Sequence, residues 1–198
     1  GLATNAETSA VVRHLIASSP LPMVIDADGL NALSGELNLL AGCKEKPILT
    51  PHPGEMARLT GLRNSDVQND RIGTAAHFVE EHGCYLVLKG ARTLIGEPNG
   101  VIHVNPTGNP ALSSGGAGDV LTGLIGGFLA RAWPMAKAAV TGVYLHGLAA
   151  DLLAEETGQV GILAGELLEV IPELMSSLSD GVWPLEDPPL TEDLYHPL

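Results

Sequence analysis

The sequence predicts an α/β fold in which helices cover both faces of a sheet. Short apolar runs at residues 22–26, 47–50 and 85–88 lack the polar alternation of a strand with one wet face. They alternate with longer stretches of helical pattern, as in layered α/β domains. With 24 glycines and only 4% aromatic residues, the core must be packed with Leu, Val, Ile and Ala.

Each element has its own signal. Asn5 is placed to cap an amphipathic stretch to about Ser18, with Val11, Val12, Leu15 and Ile16 on one side and Glu7 in the first turn. Residues 22–26 read as a buried strand ending in acid, followed by a helical piece over 30–40. A second strand over 47–50 is stopped by Pro51-His52-Pro53. A long helix is expected from Ser65 to about Glu81, with Ser65 and Gln68 spaced as a capping box. The strand at 85–88 leads directly into Lys89-Gly90. Residues 93–95 and 101–104 flank Asn99-Gly100, a hairpin signal. Three helices follow: a Gly-rich one to about Arg131, one from Pro134 to about Glu155, and one from Gly161 to about Met175. A single domain is thus expected over residues 1–180, with an irregular, Pro-rich acidic tail over 181–198.

Composition narrows the function. The chain of 198 residues carries 23 acidic and 10 basic side chains, a formal charge of −13. That balance argues against nucleic acid as a partner, because phosphate contacts need clustered Lys and Arg. Its apolar stretches, such as 120–130, are too short to span a bilayer. Cys43 and Cys84 cannot build a disulfide framework and are expected as reduced thiols of a cytoplasmic protein. The chain opens at Gly1-Leu2-Ala3 without Met or a secretory signal, so it is expected to begin partway through something longer.

The residues with chemistry fall just after strands or at helix starts, on one rim of the sheet: Asp26 and Asp28, His52 and Glu55, Lys89, and Asp119. The strongest constellation is Asn109-Pro-Ala-Leu-Ser-Ser-Gly-Gly-Ala-Gly-Asp119-Val-Leu-Thr-Gly123. Glycines at 115, 116 and 118 allow close backbone approach, and the helix start adds N–H donors and a positive dipole end that suit phosphate. A dipole alone offers about 0.3–1 kcal/mol, so oriented donors must supply most of the grip. Asp119 would repel that ligand, and activating a hydroxyl that attacks the phosphate gives it a reason to be there. The plainer reading is tight packing by the glycines, with Asp119 as a helix cap. Likewise His52 could contact a substrate or cap a helix, and Asp28 could orient a hydroxyl or serve as a cap.

These segments resemble a known family. Asn-x-x-Leu-x-x-Gly-Gly-Ala-Gly-Asp-Val-Leu-x-Gly resembles the anion-hole motif of the ribokinase-like superfamily, in the form of its NAD(P)H-hydrate dehydratase branch. Val24-Ile-Asp-Ala-Asp28-Gly-Leu-Asn, Leu49-Thr-Pro-His-Pro-Gly-Glu55 and Leu88-Lys-Gly-Ala-Arg-Thr-Leu-Ile95 are similar to further motifs of that branch, in the same order. Gly1-Leu2-Ala3 looks like the end of its Gly-Pro-Gly-Leu-Gly element. The resemblance implies a three-layer α/β/α, ribokinase-like fold with a mostly parallel sheet and a β-hairpin.

It also implies ADP-dependent dehydration of hydrated NADH and NADPH, giving NAD(P)H, AMP and phosphate. Asp119 would be the catalytic base, and Gly1, His52 and Asp119 would bind the substrate. Lys89, Gly90, Ala91, Arg92 and Thr93 would form the nucleotide loop, with Gly115, Gly116, Ala117 and Gly118 as the anion hole. Glu55 would hold Mg²⁺ through water. ADP is preferred by analogy, with ATP open. An NAD(P)HX epimerase is expected as a fused domain or separate partner, and Gly- and Ala-rich helices suggest a homo-oligomer. Two rivals stand beside this reading: a small-molecule kinase acting on a sugar, thiazole or pyrimidine alcohol, and a non-catalytic nucleotide-binding module.

Overall fold

The structure, a computed structural model, describes residues 5–180. Gly1, the expected substrate contact, and the expected tail over 181–198 lie outside the described residues.

Apolar strands line up as one five-stranded sheet in the order β1 (Val24–Ile25), β2 (Ile48–Leu49), β3 (Tyr85–Leu88), β4 (Leu94–Gly96), β5 (Ile102–Val104). β1, β2 and β3 are parallel, with Val24 opposite Ile48 and Ile48 opposite Tyr85. β3, β4 and β5 are antiparallel. Successive residues serve opposite faces: Leu49, Leu86 and Leu88 enter one core, Ile48 and Val87 the other. This two-sided burial is why the strands show no polar alternation.

One face carries α1 (Ala6–Ser18), α2 (Asp28–Leu33), α3 (Pro53–Thr60), α4 (Asn64–Asn69) and α5 (Arg71–His82). The other carries α6 (Ala117–Ala130), α7 (Met135–Thr157) and α8 (Ala164–Ser179). Asn5 caps α1 as expected, accepting a hydrogen bond from Thr8 N at 2.8 Å. Hairpin β4–β5 turns through Glu97-Pro98-Asn99-Gly100, where Gly100 has φ 84° and its N–H donates to Glu97 O.

Residues 53–60 form a helix, α3, opened by Pro53 at the first helical position, where a missing N–H costs nothing. Three expectations change. The helix expected from Ser65 to Glu81 is two helices, α4 and α5, parted at Asp70. Asp70 leaves helical geometry (φ −139°, ψ 73°) and accepts from Gly73 N at 2.8 Å, so a local cap wins over continuation. The Ser65/Gln68 capping box is absent, because Ser65 lies inside α4 behind Arg63. The piece expected over 30–40 is α2 followed by a 3₁₀ turn, Leu37–Gly42.

Candidate active site

Parallel strands β1, β2 and β3 end side by side, so the residues that follow them converge. After β1 the chain turns sharply through Ala27, whose φ of 47° is in the left-handed region, into α2. Such a conformation costs about 1–3 kcal/mol and is held by its surroundings. It sets Asp26 under the sheet rim, while Asp28 opens α2 and accepts from Asn31 Nδ2 at 3.4 Å.

After β2, Thr50 is fully buried and donates to Ile25 O. His52 is then the N-cap of α3, its Nδ1 accepting from Gly54 N (3.0 Å) and Glu55 N (3.3 Å). Glu55 reaches back, Oε2 accepting from His52 N at 2.8 Å, which completes a capping box. Because Nδ1 accepts, the ring proton is on Nε2. The imidazole is more than half exposed, whereas Glu55 is only 8% exposed. His52 is therefore a cap on a largely exposed ring, with Nε2 3.6 Å from Glu55 Oε2, and Glu55 is no surface acid.

After β3, Lys89 Nζ lies 2.8 Å from Asp26 Oδ1 and 3.8 Å from Glu55 Oε2. Above this trio sits the N-terminus of α6. A Cβ built on Gly118 would lie 3.5 Å from Asp26 Oδ2 and 3.6 Å from Lys89 Nζ, and Thr122 Oγ1 donates to Asp26 Oδ2 at 3.3 Å. Gly116, at φ 90°, is the N-cap, and no side chain caps this helix. Ala117 N donates to Ser114 O, and the N–H groups of Gly118 and Asp119 that follow it have no partner among the described residues and are available to an anion beside the Lys89 ammonium.

The nucleotide-loop candidates stay together. Lys89, Gly90, Ala91, Arg92 and Thr93 form the turn from β3 to β4, with Arg92 in the left-handed region (φ 53°) and donating to Pro106 O. A residue that sequence reasoning missed supports them from behind. Arg71, at the start of α5, donates to the carbonyls of Leu88, Lys89 and Ala91, and burial pulls its pKa down. No spacing announces it, because the loop it braces is 17–20 residues away in sequence. Thr122 was likewise not foreseen.

The Asp119 carboxylate is exposed and makes no hydrogen bond or ion pair among the described residues. It stands at the end of an apolar groove of about 580 Å³ between α6 and α8, lined by Val120, Leu124, Phe128, Leu168 and Ile171. Gly115 is exposed beside it. Beneath the same loop, the imidazole of His146 is 6% exposed with Nε2 unpartnered, and burial, with Lys89 nearby, lowers its pKa to about 4 against a hydrogen bond to the Ala117 backbone.

The family model described as NAD(P)H-hydrate dehydratase matches residues 1–173, which include all of these site residues. The chain belongs to that family. It is 47% identical over 150 residues to the ADP-dependent (S)-NAD(P)H-hydrate dehydratase of Neisseria meningitidis, covering 74% of this chain and 50% of the relative. It is 43% identical over 182 residues to the bifunctional NAD(P)H-hydrate repair enzyme Nnr of Moorella thermoacetica, covering 92% of this chain and 34% of the relative. Among solved structures, the ADP/ATP-dependent NAD(P)H-hydrate dehydratase of Bacillus subtilis, co-crystallized with ATP/Mg²⁺, superposes with a TM-score of 0.81 at 36% identity, covering 89% of this chain and 61% of that one. A hydroxyethylthiazole kinase from Pyrococcus horikoshii shares the fold at 16% identity and a TM-score of 0.68. The ribokinase-like, mostly parallel α/β/α architecture is thereby established. The chain spans half or less of the two curated relatives and about three fifths of the B. subtilis structure.

Among the described residues no cluster of three metal-ligating side chains exists, and no helix is long and apolar enough to cross a membrane. The donor set nevertheless fits Mg²⁺ of the kind held by nucleotide phosphates and water, which needs one or two carboxylates. Glu55 Oε2 is engaged by His52 N, while Oε1 has no partner among the described residues.

Proposed function

We propose that the chain carries the nucleotide-dependent half-site of an NAD(P)H-hydrate dehydratase. The observation that carries this reading is the convergence of Lys89, Asp26 and Glu55 beneath the uncapped N-terminus of α6. Such a site grips a phosphate chain, and Asp119, at the same helix start, is free to take a proton.

In the proposed reaction Asp119 accepts the proton of the 6-hydroxyl of hydrated NADH or NADPH. That oxygen attacks the terminal phosphoryl of ADP, whose bond to the bridging oxygen breaks and leaves AMP. Backbone N–H groups of Gly115, Gly116 and Gly118 stabilise charge on the transferring group, while Ala117 N holds the turn by donating to Ser114 O. The adjacent ring nitrogen then expels phosphate, a far better leaving group than hydroxide, and loss of the carbon-5 proton restores the dihydropyridine. His52 Nε2–H contacts the substrate, with Gly1 as a further contact. Lys89 and the loop Gly90, Ala91, Arg92 and Thr93 hold the nucleotide. Glu55 would hold Mg²⁺ through water, and the ion would supply neutralisation of charge along the phosphate chain. An NAD(P)HX epimerase is the fused or separate partner in this reading, and the relative named bifunctional supports a second activity on one chain.

Incubation of the protein with hydrated NADH, Mg²⁺ and either ADP or ATP tests the reading. Recovery of the dihydronicotinamide absorbance with release of phosphate is the expected result, with ADP the better donor. A stable phosphate ester would make the protein a kinase instead, and tight nucleotide binding without turnover a binding module.

A further inference from the structure

We infer that Asp151, on α7, is the positioning residue of the anion loop, fixing where the N–H groups at 115–118 point. This rests on the reading of that loop as the phosphate site. Between β5 and α6 the chain runs without a strand partner: Asn105 N donates to Thr93 O and Arg92 to Pro106 O, and from Thr107 to Asn109 the hydrogen bonds that reach another element go to α7. Asp151 Oδ2 accepts from Gly108 N at 2.7 Å, and Oδ1 accepts from Asn109 Nδ2 at 2.9 Å. The same Asn109 amide donates to Ala150 O at 2.8 Å, and Thr107 Oγ1 donates to Tyr144 O at 2.9 Å.

Contact this close needs Gly147. A Cβ there would stand 2.3 Å from Thr107 Oγ1 and 2.9 Å from Gly108 N, so only glycine lets the loop rest on the helix. From Asn109 the order is passed forward by turns: Asn109 Oδ1 accepts from Ala111 N, Ser114 N donates to Ala111 O, and Ala117 N donates to Ser114 O. Ala117 is the first residue of α6. Asp151 takes hydrogen bonds from neutral donors and forms no ion pair among the described residues, so its charge strengthens both bonds. Its other role, as surface acid on a helix, would leave the loop indifferent to its loss.

The test uses the full chain with Asp151→Asn, Asp151→Ala and the exposed Glu155→Gln as control on the same helix. Hydrogen–deuterium exchange over residues 105–118 is read beside the KM for ADP and the melting temperature. Loss of the charged acceptor is expected to speed loop exchange and raise the KM for ADP, each by about tenfold in Asp151→Ala and less in Asp151→Asn. Glu155→Gln is expected to change neither. Unchanged loop exchange in the folded variants, or a kcat that falls only with the folded fraction at constant KM, overturns the inference. If Asp151→Ala does not fold, Asp151→Asn decides. Absence of turnover in the unaltered chain would sink the proposed function alone, because exchange reports loop order without any reaction.

Discussion

Lys89 and Asp26 are 63 residues apart in sequence, yet their charged atoms meet at 2.8 Å where β3 and β1 end. Both side chains are largely shielded, at 21% and 12% exposure, and Thr122 and Glu55 complete the pair's surroundings. Removing one member of such a pair leaves a charge without its partner, which costs more than removing both. We predict that Asp26→Asn lowers stability by about 2–3 kcal/mol, and that adding Lys89→Met restores part of the loss. Urea unfolding of the single and double variants measures this coupling. Additive losses would show that the pair contributes nothing as a pair.

His52 can be separated into its two duties. Its Nδ1 caps α3, and losing a cap costs about 1 kcal/mol. His52→Asn keeps a capping acceptor but removes the Nε2–H. It should therefore unfold within a few tenths of a kcal/mol of the parent. His52→Ala should lose the full cap. Turnover of hydrated NADH should fall in both, and full activity in His52→Asn would confine the residue to capping.

Asp119→Asn should be nearly silent in the fold. The side chain is exposed, with a first-turn dipole interaction as its stabilising role, worth about 0.3–1 kcal/mol. Turnover should nevertheless fall by about 10²–10⁴, the usual contribution of a positioned proton acceptor. Steady-state kinetics beside thermal melts of the same preparation check both halves of this prediction.

What the sequence exposes and what it hides divides along physical lines. Apolar runs fully buried on both faces, such as Leu86-Val87-Leu88, are legible because burial acts on every residue in the run. The rim position of Asp26, His52, Lys89 and Asp119 is also legible, since each follows a strand or opens a helix. A boundary decided by one side chain is not: Asp70 splits α4 from α5 through local geometry that competes with periodicity. Nor is there any local sign of Arg71 bracing Ala91 or of Asp151 holding Gly108, because each acts across the fold on backbone atoms, which carry no sequence identity. The exposure of Asp119 is not legible either, since it depends on how α8 sits against α6, and no motif encodes that.

His146 makes stability depend on pH in a defined window. Burial among α7 neighbours disfavours its cation, Lys89 opposes it further, and the Ala117 backbone offsets only part, leaving a pKa of about 4 against 6.5 for the free side chain. Above pH 6.5 the ring is neutral in both folded and unfolded chains, and stability is at its full value. As pH falls below 6.5 the unfolded chain binds a proton that the folded chain refuses, so stability declines until about pH 4, where the folded ring also titrates. The total loss is about 3 kcal/mol. Urea unfolding at several pH values should show this slope, and His146→Gln, which cannot titrate, should flatten it relative to the parent. The comparison with the variant separates the histidine from carboxylates titrating at the acid end, since those are common to both proteins. Equal slopes in the two proteins would mean that the ring is accessible to protons in the native state.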